Sequence, residues 1–265
     1  MSLHPLALRF SEVAQEYERG RPDYDPAVVG AAAAELGIPP GATILDLAAG
    51  TGKLTRALVR GGYEVIAVEP QASLRAVLAA ELGPARVRTG VAEAIPLPDA
   101  SVAAVTVADA FHWFDRPRAL AEIRRVLQPA GGLALFNTRP DWRAASWCDE
   151  LVSLLVENRR VEHPHFDGRP WHEYVREAEG WSEPWEIRVT THPLADTGRL
   201  LDHLASMSWI AAMPAAERAG VMRRARELLE AGQTPERLPL HVEVGLASPA
   251  GARRPGRGGL APKPA

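Results

Sequence analysis

The chain has 265 residues, with 30 Lys and Arg against 33 Asp and Glu and a formal net charge of -3. That balance offers no basic surface for nucleic acid or an acidic membrane, so neither is expected as a partner. The single cysteine, Cys148, excludes an intramolecular disulfide and a cysteine-rich metal site, as in proteins of a reducing compartment. The length suits one generous domain, or one domain plus a lid. Met1-Ser2-Leu3-His4-Pro5 has no basic segment leading into an apolar run, and the alanine run at Ala31–Ala34 is far too short to span a bilayer. The expectation is a soluble cytoplasmic protein, monomer or homodimer.

Phe10 to Tyr17 has apolar residues at helical spacing and predicts a short helix stopped by Gly20-Arg21-Pro22. Pro26 opens a second helix to about Leu36, with Asp25 as its N-cap. After the break at Gly37-Ile38-Pro39-Pro40-Gly41, Thr43 to Leu47 reads as a buried strand, followed by the bare turn Ala48-Ala49-Gly50-Thr51-Gly52. A helix then runs from about Lys53 to Arg60. Tyr63 to Pro70 is a second strand with Glu69 near its carboxyl end, Gln71 to Leu82 a helix, and Val87 to Thr89 a short third strand. A polar loop from Gly90 to Asp99 leads to a fourth strand, Val102 to Ala108. Arg116 to Leu127 is an amphipathic helix, Pro129 to Gly132 a turn, and Leu133 to Asn137 a fifth strand.

Alternating strands and helices predict an α/β fold: a doubly wound, seven-stranded, mostly parallel sheet of Rossmann-like type with an antiparallel last strand and a helical cover. Right-handed crossovers bring the turn, Glu69, the Gly90 loop and the Asp109–Asp115 loop to one edge. Later elements are helices at Trp142–Arg159, Trp171–Ala178, Asp196–Met213 and Ala215–Ala231, a loop at His163–Arg169, and strands at Trp185–His192 and Leu240–Leu246. The two strands are read as an antiparallel extension of the sheet. Residues 1–140 form a cofactor-binding core with N-terminal helices, 141–247 the cover plus two final strands, and 248–265 a disordered tail rich in Pro, Gly, Ala and Arg.

A strand, a turn almost without side chains and a helix N-terminus together make a site for a nucleotide-type ligand. A Walker phosphate loop fails here twice, because its first glycine would fall on Leu47 and its hydroxyl residue on Leu54. A dinucleotide fingerprint counted from Ala48 gives Ala48, Gly50 and Lys53, so the helix-packing glycine is missing.

Asp46-Leu47-Ala48-Ala49-Gly50-Thr51-Gly52 instead resembles the first motif of class I S-adenosylmethionine-dependent methyltransferases, D/E-x-G-x-G-T-G. Ala92 to Asp99 resembles the family's adenine loop, Ala108 to Asp115 its fourth-strand motif, and Ile123 to Gly132 the approach to its fifth strand. The pattern Phe10…Tyr17…Arg21-Pro22…Tyr24 is similar to the small-molecule branch, which includes the methyltransferase type 11 and trans-aconitate methyltransferase-like proteins. The resemblance covers residues 8 to 140. It implies S-adenosylmethionine as cofactor, with S-adenosylhomocysteine as product, and a small-molecule methyl acceptor. By resemblance, Glu69 takes the ribose hydroxyls, and Asp46, Ala48, Gly50 and Gly52 hold the amino-acid end. Ala92 and Glu93 lie at adenine, Ala108 contacts the cofactor through its backbone, and Tyr17 and Arg21 close over it. Ala48 departs from the motif glycine, and its methyl would crowd the site if the position required a positive φ.

Methyl transfer from a sulfonium is an in-line displacement in which a protein supplies alignment, a dry cavity and sometimes a base, and no metal is expected. His112 is the base candidate and also a candidate acceptor contact; a packing role stays open. Trp113, Arg139 and Tyr174 are further candidates for the acceptor site. His163-Pro164-His165-Phe166-Asp167 is read as a lid loop rather than a metal site. A non-catalytic protein that senses S-adenosylmethionine or a metabolite on the same fold is the alternative.

Overall fold

A computed structural model describes residues 12–83, 86–141, 148–158, 169–232 and 236–252. Its centre is a seven-stranded sheet of order β3-β2-β1-β4-β5-β7-β6. The strands are β1 (Thr43–Leu47), β2 (Glu64–Val68), β3 (Val87–Arg88), β4 (Val102–Ala108), β5 (Leu127–Pro140), β6 (Trp185–Thr191) and β7 (Leu240–Ala247). Around it lie α1 (Ala14–Gly20), α2 (Pro26–Leu36), α3 (Lys53–Arg60), α4 (Ala72–Leu82), α5 (Arg116–Val126), α6 (Cys148–Asn158), α7 (Trp171–Glu177), α8 (Thr197–Ala205), α9 (Ser208–Ala211) and α10 (Ala215–Ala231).

β1 through β5 pair in parallel. The order reverses at β1, with β2 on one side and β4 on the other, so a crevice opens beyond the carboxyl end of β1. Alternate residues of each strand serve different cores. Leu45, Leu47, Val105, Val107, Leu133 and Leu135 face α5 and α7. Ile44, Val65, Ala104, Ala134 and Phe136 face α2 and α3. Asp46, at the same parity as Ile44, therefore points toward α3. A third core joins α6, α8, α9 and α10 through Leu151, Leu204, Ile210 and Leu229, so the cover packs on itself.

Local signals placed several elements. The Asp25 carboxylate accepts from the Ala27 amide at 2.8 Å with Pro26 as the first helical residue, and Gly37 ends α2 in the left-handed region at φ 69°.

Four expectations are corrected. The last strand, β7, is antiparallel as expected, but it inserts between β5 and β6, so β6 is parallel to the core rather than reversed with β7. β5 extends from Leu127 through the expected turn; its register jumps from Val102↔Leu127 to Ala104↔Gly132, and the intervening residues bulge. The helix expected over Asp196–Met213 breaks at Ser206 and Met207. Ser206 Oγ donates to the His203 carbonyl at 2.7 Å and Met207 turns extended at ψ 129°, a side chain competing with the helix's own hydrogen bonds. Residues 248–252 are held rather than loose: Ser182 N donates to Ser248 O and Ala250 N to Gly180 O, both at 2.8 Å. The His163–Asp167 loop, Trp142, Trp147 and residues 253–265 lie outside the described residues.

Candidate active site

The chain leaves β1 at Ala48 with φ 58° and passes Gly50 at φ 59° and Gly52 at φ 93° before entering α3. The positive φ that would crowd an alanine is therefore present at Ala48. A Cβ added at Gly50 would meet nothing within 4 Å, so open space lies against that backbone. At Gly52 it would strike Leu78 Cδ2 at 2.6 Å, which is packing against α4. The two glycines do different work: Gly50 leaves room and Gly52 permits approach.

Two buried carboxylates flank the turn. Glu69 Oε2 accepts from the Gly50 amide at 3.0 Å and Oε1 from Gln71 N at 2.8 Å. Burial raises its pKa against the lowering effect of those two amides. Each oxygen retains a second lone pair for a further donor. Asp46 is fully buried and its Oδ2 accepts from Thr55 Oγ1 on α3. Burial pushes its pKa up to about 7, the Thr55 hydroxyl opposes this, and the negative Glu69 adds to it. Asp46 Oδ1 and Thr51 Oγ1 are buried with no hydrogen-bond partner among the described residues. Buried polar atoms are rarely left so.

The remaining loops reach the same edge by topology. Ala92 is buried, and Glu93 Oε1 accepts from the Asp115 amide at 2.8 Å, tying the Gly90 loop to the end of the His112 turn. Arg125 on α5 donates to the carbonyls of Ile95 and Leu97, both at 2.9 Å, while Glu122 accepts from Ile95 N. After Ala108, Asp109 takes φ 47° and a single 3₁₀ turn, Phe111–Trp113, carries His112 beyond β4. His112 and Trp113 are half-buried with ring centroids 4.9 Å apart.

Over this edge lies the N-terminal segment. The Tyr17 phenol has its pKa pushed up to about 12 by burial, with the charges of Asp109 and Asp46 adding to the rise and Arg21 opposing it. Arg21 lies 5.6 Å from the Tyr17 ring centre and donates to Ser206 Oγ at 3.2 Å. Buried Lys53 donates to the Glu18 carbonyl at 2.8 Å and to Asp23 Oδ1 at 3.3 Å, and Arg56 pairs with Asp23 and with the Glu18 side-chain carboxylate. A cavity of about 490 Å³ between α1 and α8 is lined by four cations (Arg19, Arg21, Lys53, Arg199) and four carboxylates. Its balanced charge favours neither sign of ligand.

Residues 45–135 match the family model of a methyltransferase domain, a span holding the turn, Glu69, the Gly90 loop and His112. Over 230 residues the chain is 37% identical to an uncharacterised methyltransferase of Mycobacterium tuberculosis, covering 86% of this chain and 88% of that one. The chain belongs to the class I S-adenosylmethionine-dependent methyltransferases. An uncharacterised methyltransferase of Schizosaccharomyces pombe is 34% identical over 203 residues, 73% of this chain and 77% of its own. A solved candidate type II methyltransferase of Anaeromyxobacter dehalogenans superposes with a TM-score of 0.61 at 26% identity, covering 86% of this chain and 97% of that one.

In this methyltransferase Asp46, Ala48, Gly50, Gly52, Glu69, Ala92, Glu93, Ala108, His112 and Trp113 share the carboxyl edge of the sheet, whereas Arg21 is bonded to Ser206 after α8 and lies against the Tyr17 ring. Arg139 is not gathered there in the same way: it is exposed on β5 and paired with Glu243 at 3.0 Å. Tyr174 is buried on α7, its hydroxyl accepting from Arg116 at 2.6 Å and its ring lying under Arg116 and Arg169. Among the described residues no three His, Cys, Asp or Glu side chains gather as a metal would need. The roles of Lys53, Asp109 and Arg125 had no sequence signal, since each is defined by partners distant in the chain.

Proposed function

We propose that this methyltransferase moves a methyl group from S-adenosylmethionine to an O, N or C atom of a small molecule by direct in-line displacement, without a metal. The observation that carries the reading is the open space against the Gly50 backbone, with the buried Glu69 carboxylate held beside it by the Gly50 amide at 3.0 Å. A ligand lying against that backbone would come within reach of Glu69. Glu69 suits a ribose diol, since two hydroxyl donors on one buried carboxylate make a charge-assisted, geometrically selective contact. When bound, the cofactor would supply a methyl group already activated by a sulfonium.

The chain's own part is then alignment and exclusion of water. Ala48 and Gly50 would hold the amino-acid end through backbone, Ala108 its neighbour, and Ala92 the adenine, with Glu93 fixing that loop. Trp113 would wall the cavity. His112 would face the acceptor and take its proton where the acceptor atom carries one. Residues 1–140 form the cofactor-binding part, and 141–247 the acceptor cover with the two strands that complete the sheet. The single cysteine supports action in the cytoplasm.

Titration calorimetry with S-adenosylhomocysteine tests the cofactor reading. Binding is expected in the wild type and is expected to weaken by at least about a hundredfold in Glu69→Ala, which removes the charged acceptor of two hydrogen bonds. No binding to the wild type overturns the reading. A screen of small acceptors with methyl-labelled cofactor tests transfer, and binding without transfer to any acceptor would favour a sensor. With an acceptor in hand, His112→Ala losing turnover while keeping cofactor binding supports the base, and unchanged turnover removes it.

A further inference from the structure

Asp109 is a carboxylate just beyond the end of β4, inside the stretch that resembles the fourth-strand motif, to which the proposed function gives no part. Its Oδ1 accepts from the Thr138 amide at 3.0 Å, and its Oδ2 from the Thr138 hydroxyl at 2.6 Å and the Tyr24 hydroxyl at 3.2 Å. Its own amide donates to the Phe136 carbonyl at 2.9 Å. Every one of those donors to the carboxylate is neutral. The backbone is in the left-handed region at φ 47°, which an aspartate holds only when its surroundings fix it. Two of the three bonds belong to β5 and serve the sheet. The third reaches a different part of the molecule.

Tyr24 belongs to the segment between α1 and α2 and is buried, its ring edge-on to Phe136 with centroids 5.7 Å apart. Upstream, residues 14–23 are fastened on both flanks. Arg19 makes two bonds to the Asp202 carboxylate on α8, at 2.8 and 3.0 Å, and Lys53 and Arg56 hold Glu18 and Asp23 from the first turns of α3. Lys53 directly follows the β1 turn and Asp109 directly follows β4, so residues 18–24, held by Lys53 at Glu18 and Asp23 and by Asp109 at Tyr24, cross the gap beyond those two strands. The flanking attachments are to helices. The Tyr24 hydroxyl instead ties the segment to Asp109 at the end of a central strand.

We propose that Asp109 is a positioning residue that latches residues 14–25 across the cofactor cleft through Tyr24, and so sets how fast the ligand beneath them leaves. The inference rests on the reading that this cleft takes S-adenosylmethionine. Thr138 keeps the carboxylate aimed when Tyr24 lets go, so the latch can open without disturbing the β4–β5 pairing. The Tyr24 pKa is raised well above that of an ordinary phenol, chiefly by burial and then by the Asp109 charge, so the hydroxyl remains a donor at neutral pH.

Rapid-mixing measurement of S-adenosylhomocysteine release from the full chain tests this, with Tyr24→Phe and Asp109→Asn as variants. Phenylalanine retains the buried ring and removes one hydroxyl. Asparagine tolerates the left-handed backbone and removes the charge. Release is expected to be about tenfold faster in Tyr24→Phe and at least as fast in Asp109→Asn, the loss of a bond to a charged acceptor. Amide exchange at residues 17–24 of the ligand-free protein is expected to speed up in both, while residues 133–138 of Tyr24→Phe stay as in the wild type. Release unchanged in Tyr24→Phe, whatever its melting temperature, assigns the bond to structure alone and overturns the latch. Failure of the wild type to bind overturns the functional reading, and the latch with it, so the two failures are distinguishable.

Discussion

Ala48 holds a backbone conformation suited to glycine, at φ 58°. Its Cβ is set against the following carbonyl, a clash that costs an L-residue about 1–2 kcal/mol and costs glycine nothing. Glycine gives up part of that advantage through its extra freedom in the unfolded chain. Ala48→Gly is therefore expected to raise stability by about 1 kcal/mol, read as a higher denaturant midpoint at unchanged slope. An equal or lower midpoint would mean that the local turn has already relaxed around the methyl. Asp46 gives the second residue-scale prediction. Its pKa is raised from 3.8 to about 7, chiefly by burial, so the folded protein keeps a proton that the unfolded chain has released. The native state then binds more protons than the unfolded one over that window, and stability falls as pH rises through it. Between about pH 5 and about pH 8 the ligand-free protein should lose on the order of 2–3 kcal/mol through this group. In Asp46→Asn, which cannot ionise, denaturation series across the same range should lack that slope.

At the scale of elements, what the sequence declares is what neighbouring residues decide. α2, α3, β4 and α10 lie at the expected Pro26–Leu36, Lys53–Arg60, Val102–Ala108 and Ala215–Ala231. Their ends are written locally, in Asp25-Pro26, Gly61-Gly62 and Gly232. The direction of β6 was not legible, because it depends on β7 arriving between β5 and β6 from more than forty residues downstream. The break at Ser206 was not legible either, since one hydroxyl and its Arg21 partner decide it. The same division runs through the site: Glu69 and the Gly50 turn carried a motif, whereas the Gly90 loop owes its shape to Arg125. That side chain takes the Ile95 and Leu97 carbonyls and the Asp99 carboxylate while paired with Glu122. Arg125→Met keeps the aliphatic stem and removes every one of those donors. Amide exchange at residues 91–97 should become about tenfold faster, the effect of roughly 1.4 kcal/mol of local stability, with β1 and β4 unaffected. Exchange unchanged in that loop would return the loop's order to Ile95 and Leu97 packing alone.

Over the whole molecule, the sheet has two cores of its own and the cover has a third, so something must bind cover to sheet across the active edge. One close approach is at Gly20, the last residue of α1, which packs on the cover helix α8. A Cβ placed there would lie 2.1 Å from His203 N and 2.4 Å from the Asp202 carbonyl carbon, both backbone atoms of α8 that no rotamer change can move. His203 is buried at this seam with its pKa well below the ordinary histidine value, mainly through burial and then through Arg21. It is neutral there and adds no repulsion to the Arg19–Asp202 pair beside it. Gly20→Ala must part α1 from α8, and overpacking of this kind typically costs about 1–3 kcal/mol. Gly30, inside α2 with nothing within 4 Å of its would-be Cβ, supplies the contrast. Gly30→Ala should instead stabilise by about 0.5–1 kcal/mol, as alanine does over glycine in a helix. Denaturation of the two variants side by side separates a seam from a surface. If Gly20→Ala were as stable as Gly30→Ala, α1 and α8 would not be in contact in solution, and the segment over the cleft would be held from the sheet side alone.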